Sequence, residues 1–274
     1  MLIAVCFFSL MGLLVKTLNH IPAVQIVFFR SIVSFILSFL LLKGQSVPIF
    51  GNNKKLLLLR GAFGATALVI FFNILQNIPL ASAVVLGYLA PIFSNIFSRI
   101  FLKERIVLLQ GLFILLSFSG IVIVEGFDTR VASIYLGLGI LSAMCSGAAQ
   151  NVIRKLNTTE HPLVIIFYFP LITAPITGLY CFFFEWVPPQ GLDWLILIAI
   201  GVVTQFAQYF MTKSVQLEAL SKVAILRYLS IVFALSFGFF FFGETYNWVA
   251  FAGMALTIAG VVLNLWYKKK VQVV

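Results

Sequence analysis

Three features of this 274-residue sequence predict an all-α integral membrane protein of ten transmembrane helices, arranged as two inverted five-helix repeats. Apolar residues make up 62% of the chain and charged residues 9%, with a mean hydropathy of +1.12. Soluble domains carry about a quarter charged residues. Ten apolar runs of spanning length are separated by short polar links, and the chain resembles itself at an offset of 140 residues.

Crossing the hydrocarbon takes about 20 apolar residues in a helix, because only a helix or closed barrel satisfies its backbone there. The first run, 1–18, lacks a basic start and a small-residue cleavage site, so it reads as a helix and not a signal peptide. After Asn19-His20-Ile21-Pro22 come 23–42 and then 56–76. Gln76-Asn77-Ile78-Pro79 leads into 80–102, where Pro91 removes a backbone hydrogen bond and predicts a kink. The fifth run, 106–124, ends at Glu125-Gly126-Phe127-Asp128. Next are 133–152 and 162–184, then Val187-Pro188-Pro189-Gln190, and finally 192–213, 219–242 and 246–267. Trp186, Trp194, Trp248 and Trp266 fall at run ends, as interfacial anchors do, and no link is long enough for a soluble domain.

An even number of spans puts both termini on one side, and Lys268-Lys269-Lys270 marks that side as cytoplasmic. On that assignment 14 Lys and Arg residues lie inside, Arg60 among them, and only Lys16 and Arg130 outside. The expectation is a multi-pass protein of the inner (plasma) membrane, monomeric or homodimeric, with the lipid bilayer as its solvent. The net charge of +10 does not point to nucleic acid, since the cations sit at run ends facing anionic lipid and form no single patch. Cys6, Cys145 and Cys181 lie singly inside apolar runs, and His20 and His161 lie apart beside prolines. No metal, cofactor or catalytic residue is therefore expected, and an enzyme is disfavoured.

Residues 61–120 align with 201–260 without a gap, giving 13 identities in 60. Leu86, Tyr88, Leu89, Phe93, Phe97, Phe101 and Glu104 face Leu226, Tyr228, Leu229, Phe233, Phe237, Phe241 and Glu244. Each copy holds five spans, an odd number, so copies at 1–125 and 133–267 cross in opposite senses. The charges agree, because Lys103-Glu104-Arg105 is basic whereas its mate Gly243-Glu244-Thr245 is not. Inverted repeats are the architecture of alternating access around a site near the midplane.

With Phe28-Phe29-Arg30 in span 2, Arg60-Gly61 opening span 3, Pro91 in span 4, Lys103-Glu104 closing it and Arg227-Tyr228-Leu229 in span 9, the chain resembles an EamA-type member of the drug/metabolite transporter superfamily. The resemblance covers nearly the whole length. It implies a central cavity lined by spans 1, 3, 4, 6, 8 and 9, and substrates such as amino acids, nucleotide-like metabolites, vitamins or drugs.

Two arginines, Arg30 and Arg227, lie about three residues from the middle of their runs. Each costs roughly 2.5–3.5 kcal/mol at mid-depth, so each needs a partner or water. The eight carboxylates all map to loops or helix ends. Arg227 either receives an anionic substrate group bidentately or locks helices together, and both readings stay open. For Arg30 the locking role is favoured, with a side chain that could reach the outer interface. Span 8 carries Gln205, Gln208, Tyr209 and Thr212 on one stripe, while Gln150, Asn151, Asn73, Tyr88, Asn95 and Thr66 add polar groups on spans 6, 3 and 4. Singly these suit helix contacts worth about 0.6 kcal/mol. As a set they favour a wet cavity. The candidate substrate-binding residues are Arg227, Tyr228, Gln205, Gln208, Tyr209, Gln150, Asn151, Tyr88, Asn73 and Arg30.

The expected function is secondary transport, by exchange or facilitated diffusion, of a small polar organic metabolite bearing a carboxylate or phosphate. No intramembrane Asp, Glu or His is visible to couple protons, and no nucleotide-binding loop is present. Proton-coupled export of a drug or metabolite is the alternative, and a scaffold or lipid-handling protein is a remoter one.

Overall fold

Almost every residue here is apolar, so helices form wherever the chain enters the bilayer and stop where proline, glycine or polar groups allow water to take over. The computed structural model describes residues 1–101, 108–126, 132–156, 159–217 and 229–272. In chain order the helices are α1 Leu2–Thr17, α2 Ala23–Gly44, α3 Lys54–Asn77, α4 Leu80–Gly87, α5 Leu89–Phe101, α6 Leu108–Gly126, α7 Ser133–Leu156, α8 Pro162–Phe183, α9 Leu192–Leu217, α10 Leu229–Phe242 and α11 Trp248–Gln272. Among the described residues there is no strand, and six spans are individually long and apolar enough to cross a membrane. The predicted ten-helix count fits this order, with α4 and α5 together forming the fourth span.

That span breaks at Tyr88, three residues before Pro91. Pro91 has no N–H to donate to the Gly87 carbonyl, so the ladder fails one turn upstream of the ring. Pro22 and Pro79 precede the first residues of α2 and α4, and Pro162 occupies the first position of α8, where a missing N–H costs nothing.

The helices alternate in direction. Contacts at one end show this directly, and we call it the distal end, opposite Met1. Gln76 donates to the carbonyls of Leu18 and Ile21 at 2.9 and 2.8 Å. The Gln25 amide exchanges two hydrogen bonds with the Val187 backbone, and His20 pairs with Asp193 at 3.1 Å. At the opposite, proximal end the Asn53 N–H donates to Glu160 at 2.6 Å.

Across the bundle, α1 packs on α9 and α10, α2 on α8 and α9, α3 on α7 and α8, α5 on α7, α4 on α10 and α6 on α11. Close approach between α6 and α11 depends on two glycines. A Cβ at Gly120 would lie 2.5 Å from the Thr257 nitrogen, and one at Gly260 would lie 2.7 Å from the Ser117 nitrogen. Small residues are how membrane helices reach such separations. This pair packs against the α4–α5 span, and the other helices enclose a space between them.

Candidate functional site

A cavity of about 370 Å³ runs through the bundle from the proximal end toward the distal end. It is walled by α1 to α5 and α7 to α10, and among the described residues none of α6 or α11 lines it. It extends from Met1 to Leu80, and most of the wall is aliphatic or aromatic. The implied lining by spans 1, 3, 4, 6, 8 and 9 is met, with additions from α2 and α8: Arg30 on the former, and Ile165, Ile166 and Phe169 on the latter.

Arg30 is 1% exposed and Arg60 6%, and both line the cavity. The Arg30 guanidinium stands 5.1 Å from the centre of the Phe169 ring and 6.0 Å from that of Phe72. That of Arg60 stands 4.7 Å from Phe169, so one aromatic ring carries two cations. Arg60 begins in the second turn of α3, close to the proximal end, yet it extends along the helix over Gly64, where any Cβ would collide with it. A long basic side chain near a helix end ordinarily snorkels toward the nearer water. This one runs inward. Nε and Nη1 of Arg30 and Nε of Arg60 have no hydrogen-bond partner.

The described carboxylates are engaged elsewhere. Glu160 accepts from Asn53, Asp193 pairs with His20 and accepts from the Gln190 N–H, Glu244 pairs with Lys16, and Glu185 is exposed. The expectation that Arg30 reaches the outer interface is therefore corrected. Its head is turned into the protein, because Phe72 and Phe169 offer it ring faces there.

Of the other predicted site residues, Gln150, Gln208 and Tyr88 lie on the cavity wall, as do Thr212 and Ser230. Tyr88 Oη is 2.6 Å from Ser230 Oγ, linking the α4–α5 break to the start of α10. Gln205 is turned away and donates to Ser38 of α2 at 2.9 Å. Asn151 donates to the carbonyls of Ser94 and Gly147 at 2.7 and 3.0 Å, clamping α7 to α5. Tyr209 meets Phe210 edge to face under the Lys213 ammonium, and Asn73 is exposed on α3. Arg227, Tyr228 and Glu104 fall outside the described residues, as does the side chain of Asn95. Sequence reasoning did not nominate Arg60, which counted only as a proximal cation. The available signal was Gly64, one turn later, which leaves room for a side chain to lie inward.

Distally the cavity ends under a polar cluster. Gly243 adopts φ +61°, and the turn it makes lets the Glu244 N–H return to the Gly238 carbonyl. This is the left-handed helix stop that glycine tolerates best. It folds Glu244 back to 9% exposure, where it meets Lys16 at 2.5 Å and accepts from the Leu80 N–H at 2.9 Å and from Tyr246 at 2.7 Å. Lys16 also donates to the Ile78 carbonyl at 2.6 Å. The first turn of α4 points its free N–H groups outward, so a carboxylate there is favoured electrostatically. Leu80 thus belongs to both the cavity floor and the cluster that closes it. Glu244 lies just beyond a helix end, as the sequence places it, and the fold adds its burial.

Comparison with known proteins agrees with this architecture. The EamA-like transporter family model matches residues 1–125 and again residues 133–266. The pseudopaline exporter CntI of Pseudomonas aeruginosa is 37% identical over 93% of this chain and 88% of its own length. Mouse solute carrier family 35 member G1 is 28% identical over 94% of this chain and 76% of its own length. A solved crystal structure superposes with a TM-score of 0.68 at 19% identity, covering 98% of this chain and 96% of the other, which establishes likeness of fold. The chain belongs to the EamA-like transporter family and is a multi-pass membrane transporter of small molecules, not an enzyme.

Proposed function

We propose that this protein exports a small acidic organic metabolite across the inner membrane by alternating access, with Met1 and the C-terminus cytoplasmic. The observation that carries the proposal is the cavity itself. It is walled by helices of both sequence copies, extends to the proximal end, and is floored distally by the Lys16–Glu244 cluster. A solute can enter such a space from one side only. Release to the other side requires the cluster to part and the proximal ends of the helices to close.

Two inverted halves, 1–125 and 133–267, supply the symmetry for that exchange. Swapping each span for its counterpart in the other half carries the packing pairs onto packing pairs: α1 on α9 becomes α7 on α3, α1 on α10 becomes α7 on α4 and α5, and α6 on α11 maps to itself. The reciprocal glycines are also counterparts, Gly120 approaching Thr257 and Gly260 approaching Ser117. The double match of the family model supports the same division. The name of the Pseudomonas relative supports export as the direction. Within the site, Arg30 supplies positive charge, Tyr88, Gln150 and Gln208 supply hydrogen bonds, and Arg227 and Tyr228 join them from span 9. Gln205, Asn151, Tyr209 and Asn73 act behind the wall.

Blocking the space tests this. Ser146, on the cavity wall, has room toward the lumen, so Ser146→Trp should leave folded, monodisperse protein that no longer supports solute counterflow in proteoliposomes. Full counterflow in that variant would overturn transport through this cavity.

A second reading, proton-coupled export, draws on the burial of Glu244. Glu244 is the carboxylate that holds Lys16 in the distal floor, so coupling through this pair would tie opening to a proton gradient. Glu244→Gln should then abolish transport driven by a pH gradient while sparing counterflow. Undiminished pH-driven transport in that variant would leave simple exchange as the mechanism.

A further inference from the structure

We propose that Arg30 and Arg60 form one subsite, bridged by Phe169, for a solute that carries two negative charges; this rests on the acidic-metabolite reading above and narrows its substrate class. The two side chains start far apart. Arg30 lies in the third turn from the distal end of α2 and Arg60 in the second turn from the proximal end of α3, yet both heads converge on one ring of α8. Like charges repel, and the repulsion grows in an apolar surrounding such as that made by Ile165, Ile166 and Leu68. The negative face of one aromatic ring offsets only part of it.

A purely structural role would look different. Arginines that lock helices direct their N–H groups to carbonyls, whereas three nitrogen positions in this pair are unpartnered, and Arg60 passes over Gly64 away from the nearer water. Both residues are more than nine-tenths buried and open onto the cavity. Guanidinium groups bind carboxylate or sulfate-like oxyanions through two parallel N–H donors, so two of them match a pair of carboxylates or one doubly charged oxyanion. The cavity falls within the roughly 300–1,000 Å³ usual for small organic ligands.

The test measures thermal stabilisation of the purified full-length protein by glutarate, its monoamide and its diamide, which share size but carry two, one and no charges, with inorganic sulfate as the smallest dianion. Ionic strength is matched throughout. Glutarate and sulfate should stabilise saturably, the monoamide should need about tenfold more, and the diamide should do nothing, as loss of one charge-assisted pair implies. Arg30→Gln or Arg60→Gln should erase the difference between glutarate and its monoamide. The lysine variants, which keep charge and fold, should retain a weakened preference. Equal action of glutarate and monoamide, or a preference unchanged in both glutamine variants, would overturn the subsite but leave an acidic substrate standing. A protein stabilised by the diamide and by no anion would overturn both. Absence of any saturable dianion effect would overturn the subsite.

Discussion

Lys16, in the last turn of α1, and Glu244, just beyond α10, form a 2.5 Å ion pair at 13% and 9% exposure that closes the cavity's distal floor. Removing one partner of a buried pair leaves a charge with no compensation, a loss of roughly 3–5 kcal/mol. Lys16→Met should therefore destabilise more than the double variant Lys16→Met/Glu244→Gln, in a thermal-unfolding double-mutant cycle. The single variant should also expose Ala81, now fully buried, to a membrane-impermeant maleimide when cysteine replaces it. Additive losses with no labelling would deny the latch.

Residues from the same polar stripe should separate by role. Asn151 and Gln205 hold helices together, so alanine at either should cost about 0.6–1.7 kcal/mol of stability and leave the KM for solute unchanged. Gln208 and Gln150 face the cavity, so alanine there should change KM with little loss of stability. Counterflow kinetics beside thermal melts of the four variants decide the matter.

Pro91→Ala restores a backbone donor toward the Gly87 carbonyl and should let α4 and α5 fuse. The Tyr88–Ser230 contact at 2.6 Å sits at that break. The variant should melt higher than the parent while transporting several-fold more slowly, since a straight helix suits one state of the cycle better than the other. A transport rate equal to the parent's would show that the break only shapes packing.

Gly120→Leu and Gly260→Leu should destabilise to a similar extent, each by about 1–3 kcal/mol, as overpacking does. Their combined effect should be far from additive, because both changes prise apart the same α6–α11 contact. Markedly unequal losses would speak against equivalent halves.

Much of the architecture was legible in the residues. Span number and limits follow from apolar run length, because the bilayer leaves no alternative to a helix. Pro91 announced the break in the fourth span, one turn from where the ring sits. The candidate site was legible only in part. Tyr88, Gln150 and Gln208 reached the cavity wall, whereas Gln205 and Asn151 turned to neighbouring helices.

By itself, then, the sequence determined that this chain is a ten-span membrane protein and which faces of its helices are polar, since hydrophobic length and helical period are properties of local segments. Tertiary structure alone decided which neighbour each face meets. Gln205 and Gln208 are three residues apart on one stripe, yet a small rotation of α9 gives one to Ser38 and the other to the lumen. Arg60, nominally an end-of-helix cation, becomes a cavity residue through the reach of its side chain and the space above Gly64. Glu244, nominally a loop residue, is buried because Gly243 turns it back toward Lys16 and the start of α4. Each of these outcomes joins groups far apart in the chain, and only the packing of the whole bundle brings them within bonding distance.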